Sequence, residues 1–188
     1  LFLLVSNEPL RLLPTIRSRS QTVPVPVPGN GAATAVLAAA GIPDAEVWLA
    51  LAGGAPRLAL ELAQAGQGAW LDLLVKALGA GRGVDVLGVA GEIDRTLKAA
   101  KGKLTLRQIV EWIQKWVVDL SLAGSGLPIR YFLRQQATIG ALAGRAAQTG
   151  LIAFHRGLLR RRREVEQPLN ARLFLEALLL EYRTLIAD

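Results

Sequence analysis

The 188 residues include no cysteine and a single histidine, His155, so disulfides and thiolate or histidine-rich metal sites are excluded. Hydrophobic residues make up 52% of the chain and aromatic residues only 5%, a balance that predicts an all-α fold rather than a β-sandwich or barrel. No apolar run reaches the roughly 18 residues that a membrane span requires, and we expect a cytoplasmic protein without a metal site.

The net charge of +7 is unevenly distributed along the chain. Residues 1–65 hold four basic and four acidic side chains, whereas residues 66–188 hold eighteen basic and eleven acidic ones. A basic region can attract phosphate groups or an acidic protein partner, and the total charge does not choose between them.

The N-terminal region begins with a short apolar run. The chain starts at Leu1 and contains no methionine, so we expect it to be part of a longer protein. The run from Phe2 to Ser6, followed by a turn at Pro9, is typical of a buried strand of a parallel sheet. A short helix is predicted over 10–16. The alternating prolines between residues 24 and 28 predict an extended connector, because proline donates no backbone hydrogen bond to a sheet.

Three short helices are predicted next. Asn30 is the expected N-cap of a helix that runs to residue 40 and stops at Gly41. Asp44 is the expected N-cap of a second helix that ends near Leu51, and a third helix is predicted over 55–65. Together they would form a small bundle, with a domain boundary at residues 66–68, where the charge balance and the helix lengths change.

The remainder of the chain has the pattern of a larger helical domain. Helices are expected near residues 69–78, 84–98, 105–122, 128–135, 138–163 and 169–187. The helix over 105–122 has a core-facing apolar stripe at Leu106, Ile109, Val110, Ile113, Val117 and Leu120. Trp112 and Trp116 beside it are interpreted as packing residues. The last helix is apolar almost all round, which predicts burial in its own domain or against another subunit.

The letters LLVSNEPLRLLPTIRSRS at residues 3–20 carry the most specific motif of the chain. An apolar strand, an Asn-x-Pro turn, a short helix and an Arg-Ser-Arg sequence resemble the end of the nucleotide-binding domain in the delta-prime subunits of bacterial replication clamp loaders. Ser20 stands where the family usually has cysteine. The resemblance implies three parts: residues 1–28 as the remnant of an AAA+ nucleotide-binding domain with its linker, 29–66 as a three-helix lid, and 67–188 as a helical collar.

The resemblance also implies roles for individual residues. Arg19, between Ser18 and Ser20, would act in trans as an arginine finger on ATP held by a neighbouring subunit, because a planar guanidinium can bind phosphate oxygens in a fork. Asn7 and Arg57 would occupy the positions of the two nucleotide sensors. The alternatives stay open: Arg17 and Arg19 as solvated loop residues or strand-end gatekeepers, and Arg57 in a structural salt bridge.

A basic cluster near the end of the helix over 138–163 is the other candidate site. Arg156 and Arg160 share a helix face, and Arg163 follows one turn later. These arginines could contact nucleic-acid phosphates or an acidic neighbour in an assembly, or they could form a solvated helix end whose cations favour the negative C-terminal dipole. No carboxylate or serine near His155 in sequence suggests a catalytic pair, so a surface position is its default.

The function that the resemblance implies is mechanical. The chain would belong to a non-hydrolysing subunit that assembles through its collar with other clamp-loader subunits and supports loading of the sliding clamp on primed DNA within the DNA polymerase III holoenzyme. ATP and magnesium would sit on neighbouring subunits, any zinc site of the family would precede this chain, and no cofactor is expected here. No phosphate-binding loop of the Gly-x-x-x-x-Gly-Lys type and no complete catalytic site is present. The alternative is a helical nucleic-acid-binding module that uses its basic C-terminal domain.

Overall fold

The computed structural model describes residues 2–6, 8–65, 69–102, 104–165, 167 and 169–187. These residues are mostly helical and almost without strand, which confirms the predicted all-α class; one antiparallel bridge joins Ala146 and Ile186. The α-helices of the described residues are α1 Pro14–Arg17, α2 Asn30–Ala39, α3 Ala45–Leu51, α4 Pro56–Ala65, α5 Ala69–Gly79, α6 Val86–Ala99, α7 Leu106–Gly124, α8 Gln136–Ala143, α9 Gln148–Glu164 and α10 Ala171–Thr184. Short 3₁₀ turns occur at Pro9–Arg11, Gly81–Gly83 and Leu133–Gln135.

The described N-terminal residues up to 28 lie outside the helical core. Residues 2–6 form neither helix nor strand, and the Phe2 side chain is 97% exposed. The predicted strand is therefore not confirmed, because a strand needs a neighbour to pair with and none of the described residues provides one. The helix predicted over 10–16 is divided into a 3₁₀ turn and α1. Leu13 has an extended ψ of 138° because it precedes Pro14, which begins α1.

Helices α2, α3 and α4 pack around a small core of their own, formed by Ala33, Leu37, Leu49, Ala52 and Ala59. Two details differ from the sequence-based expectation. Gly29 occupies the N-cap of α2 and Asn30 is the first helical residue, so the predicted Asn30 cap is wrong. Asp44 does precede α3, but its side chain caps nothing and its φ of 53° is left-handed. Its carboxylate pairs instead with Arg134, at 2.5 Å.

A second, larger core is built around α7. The predicted stripe residues Ile109, Val110, Ile113, Val117 and Leu120 are all fully buried there. A capping box starts the helix, because the Thr105 hydroxyl accepts from the Gln108 backbone and the Gln108 side chain accepts from the Thr105 backbone. Trp112 and Trp116 are buried and meet Phe132 edge-on at centroid distances of 6.0 and 5.3 Å, as their interpretation as packing residues requires.

Two predicted helices differ because tertiary contacts override local preference. The region predicted as a helix over 128–135 is mainly a loop, since the fully buried Asp119 carboxylate accepts from the backbone N–H groups of Arg130, Tyr131 and Phe132 at 2.7 to 3.2 Å. The long helix predicted over 138–163 is broken at residues 144–147. There the Arg145 guanidinium donates to the Ala187 carbonyl, and Ala146 forms the bridge to Ile186.

The two cores meet at a polar junction on α7. The Lys115 ammonium donates to the Leu51 carbonyl at the end of α3 over 2.7 Å and lies 4.2 Å from the Trp112 ring centroid. Burial lowers the pKa of Lys115 below its ordinary value, although the Glu111 carboxylate opposes that shift. Leu51 itself belongs to the larger core, so apolar packing and a hydrogen bond from a charged side chain both cross the junction. The domain boundary predicted at 66–68 lies outside the described residues.

Candidate functional site

The loop that carries Arg19 follows α1 and is exposed. The Ser20 hydroxyl donates to the Ile16 carbonyl at 2.8 Å, and the Ser18 hydroxyl donates to the Thr15 carbonyl at 3.3 Å. The backbone N–H of Arg19 also donates to Ile16, at 3.2 Å. In the part of the chain that the structure describes, no hydrogen bond or ion pair engages the Arg19 guanidinium. The two serines therefore stabilise the turn, and the Arg19 side chain is exposed beside them.

The two sensor-like residues give different outcomes. Asn7 lies outside the described residues. Arg57 is in the first turn of α4, where its guanidinium donates to Glu61 one turn later at 3.1 Å and its side chain is 92% exposed. An exposed pair at this spacing is an ordinary surface salt bridge, so the geometry favours the structural alternative for Arg57.

The arginines of α9 fall into two groups that the sequence does not distinguish. Arg161 pairs with Glu181 of α10 at 2.5 Å, and Arg162 pairs with Glu111 of α7 at 2.6 Å. The candidate residues Arg156, Arg160 and Arg163 are all exposed and form no ion pair with any described residue. They follow one another at i, i+4 and i+7, so they form a row along one face.

His155 lies at the contact of α9 with α7 rather than on the surface, which corrects the default expectation. It is half-buried, and its Nε2 is 3.2 Å from the Gln114 side-chain nitrogen. This hydrogen bond joins the two helices. No nucleophile or carboxylate takes part in it, so the contact is structural.

The last helix, α10, has two different apolar faces. Leu175, Leu178, Leu179 and Tyr182 are buried in the larger core. The Tyr182 hydroxyl donates to the Leu78 carbonyl at 2.7 Å and accepts from the Trp116 ring nitrogen at 3.0 Å, and burial raises the pKa of this hydroxyl.

The opposite face of α10 is open to solvent. Leu173 is 61% and Leu180 43% exposed, and Ala177 lies exposed between them. We call these three residues the α10 stripe. The periodicity of the sequence indicated an all-round apolar helix, but only the packing shows which leucines are left outside the core.

Several kinds of site are not formed by the described residues. None of their His, Asp and Glu side chains gather in a group of three or more that could hold a metal ion. Within the same residues, every helix is too short or too polar to cross a lipid bilayer.

The fold and these surfaces define a class: a helical protein with three exposed surface features, namely the loop that carries Arg19 (the arginine loop), the row Arg156, Arg160 and Arg163 on α9 (the arginine row) and the α10 stripe. No family model, curated protein or solved structure matches the chain significantly.

Proposed function

We propose that this chain is the lid and collar of a non-hydrolysing, delta-prime-like subunit of a bacterial replication clamp loader, acting in the cytoplasm. In this proposal residues 67–188 assemble with the collars of the other subunits, residues 29–66 form the lid, and residues 1–28 end a nucleotide-binding domain. The motif at residues 3–20 supports the family. The α10 stripe is the observation that carries the assembly role.

The α10 stripe is a second apolar face on a helix that already has a complete core face. Leu173, Ala177 and Leu180 recur at i, i+4 and i+7, the spacing with which one helix packs against another. Covering their exposed apolar surface would stabilise an interface by about 25 cal/mol for each Å² removed from water. The helices of neighbouring collars are the occupants that would cover this area.

The junction between the two cores supports a rigid role for the subunit. Lys115 of α7 connects the end of α3 to the larger helical core. The Asp44–Arg134 ion pair connects the residue before α3 to the 3₁₀ turn at Leu133–Gln135. A lid held in this way would move with the collar as one body. The family's comparatively rigid delta-prime subunit, against which the other subunits move, would use such a connection.

The arginine loop supports the contribution to catalysis in the assembled ring. Arg19 is exposed and carries no intramolecular ion pair within the described residues, so it could reach the γ-phosphate of ATP and its magnesium ion on a neighbouring subunit. The chain would then take part in the DNA polymerase holoenzyme without hydrolysing ATP itself.

Size-exclusion chromatography with light scattering tests the assembly role. The chain is mixed with the collar domains of the other clamp-loader subunits from its source organism. The wild type should form a mixed oligomer, whereas Leu173→Asp and Leu180→Asp should weaken association at least about tenfold, because each places a charge in an apolar interface.

The matched control is Leu58→Asp on α4, where the leucine is 41% exposed and lies off the stripe. Circular dichroism checks that all variants are folded. Absence of a wild-type mixed oligomer, or equal weakening by Leu58→Asp, would contradict the proposal.

A further inference from the structure

The exposed side of α9 carries a line of three positive charges. Arg156, Arg160 and Arg163 lie within about 60° around the helix, and the 1.5 Å rise per residue places Arg160 and Arg163 about 6 and 10 Å from Arg156 along its axis. All three are exposed, and within the described residues none has an ion-pair or hydrogen-bond partner for its guanidinium. Glu164, at the end of the helix, is the described acid nearest to them in sequence. Three exposed arginines in a row, without an ionic partner among the described residues, form a positive surface.

The helix beneath this arginine row is held in a fixed orientation. Leu151, Phe154 and Leu158 bury its opposite face in the larger core. The pairs Arg161–Glu181 and Arg162–Glu111 fasten its last turns to α10 and α7. The flanking arginines thus neutralise the nearby acids, while the three outward arginines are presented on a rigid support. A ligand would bind them without reorienting the helix.

We propose that the arginine row binds the phosphate backbone of nucleic acid, independently of base sequence. Guanidinium groups bind phosphate oxygens through paired hydrogen bonds, and a line of them matches a linear polyanion. The inference goes beyond the proposed assembly role, since it depends on neither Arg19 nor the α10 stripe.

The packing of α9 argues against a membrane surface as the ligand. An interfacial helix inserts its apolar face between lipids, but the apolar face of α9 is already buried in the protein. Ile152 and Leu159 are the only large apolar side chains of α9 that are exposed. The surface is therefore suited to charge contacts with little insertion.

Fluorescence anisotropy with a labelled 20-base-pair DNA duplex of mixed sequence tests the proposal. The wild-type chain is compared with the triple variant Arg156→Gln, Arg160→Gln and Arg163→Gln between 50 and 200 mM KCl. Three lost phosphate contacts correspond to a change of about 2.7 in the slope of log affinity against log salt. Over this fourfold range, salt should weaken the wild type about 40-fold more than the triple variant.

The control is a triple variant with the same change of net charge, Arg11→Gln, Arg57→Gln and Arg95→Gln. Each of these arginines forms an ion pair within its own helical turn or 3₁₀ turn. The control should keep the wild-type salt slope.

Two results of the DNA titrations would overturn the proposal: an equal loss of salt dependence in the two triple variants, or no DNA binding by the wild type. It would also be overturned if the wild-type chain bound polyglutamate or phosphatidylserine vesicles more tightly than the DNA duplex. The arginine-row variant should still form the mixed collar oligomer, so failure of DNA binding and failure of assembly are separately visible.

Discussion

At the scale of single residues, Lys115 shows how a charged side chain can serve a packed junction. Its ammonium gives a hydrogen bond to the Leu51 carbonyl and lies over the Trp112 ring, which together offset part of the cost of removing the charge from water. That cost is not fully offset, because burial still lowers its pKa. The residue therefore links protonation to the stability of the connection between the two cores.

The variant Lys115→Met should change how stability depends on pH. In the folded wild type the pKa of Lys115 is lowered, whereas in the unfolded chain it keeps its ordinary value of 10.5. Between these two values the unfolded chain binds more protons, so wild-type stability rises with pH. The variant lacks this contribution to the pH dependence of stability, because methionine does not ionise. Urea unfolding at pH 7 to 10.5 should show wild-type stability increasing relative to the variant as pH approaches 10.5. A constant difference across this range would contradict the prediction.

At the scale of elements, the sequence predicts what depends on local pattern. The stripe of α7 follows from its 3.6-residue period. The break at residues 144–147 and the loop at 128–132 could not be predicted in the same way. Both are set by partners distant in sequence, Ala187 for Arg145 and Asp119 for the loop backbone.

The candidate sites show the same division. The sequence predicts from helical spacing that Arg156, Arg160 and Arg163 lie on one side of a helix, and these residues do share an exposed face. Which arginines of α9 remain unpaired depends on Glu111 and Glu181, which other helices supply. The α10 stripe could not be predicted for a related reason. Leucines occur on both faces of this helix, and the sequence does not indicate which face packs in the core.

The variant Asp119→Asn should destabilise the fold through the loop at 128–132. The carboxylate accepts from three backbone N–H groups, whereas an asparagine amide has one acceptor oxygen and would direct an NH₂ group toward a donor. We expect a loss of about 3 kcal/mol in the free energy of unfolding.

Urea denaturation measures this loss, and Asp72→Asn on the exposed side of α5 is the control, expected within about 0.5 kcal/mol of wild type. Nearly equal stability of the two variants would show that the carboxylate is dispensable.

At the scale of the whole molecule, three surfaces lie on three separate elements. The arginine loop follows α1, the arginine row is on α9 and the stripe is on α10. The Arg161–Glu181 pair fixes α9 against α10, so the row and the stripe belong to one rigid part of the molecule. Because no residue is shared among the three, the proposed activities, which are ATP stimulation, nucleic-acid binding and assembly, should be separable by mutation.

The last of these separations tests the proposed clamp-loader role of Arg19, in a reconstituted clamp loader in which only the ATP site next to the proposed position of this chain is active. Arg19→Ala should slow hydrolysis at that site about 10³-fold, because the forked positive charge on the γ-phosphate is lost in the transition state. Arg19→Lys should restore little, since a lysine cannot make the paired contact. Arg17→Ala, two residues earlier and also exposed, should leave the rate within about twofold of wild type if only Arg19 reaches the phosphate. Light scattering on the same complexes should show unchanged assembly. If Arg17→Ala slowed hydrolysis as much as Arg19→Ala, the loop would act through its general charge, and the assignment of Arg19 as the finger would be wrong.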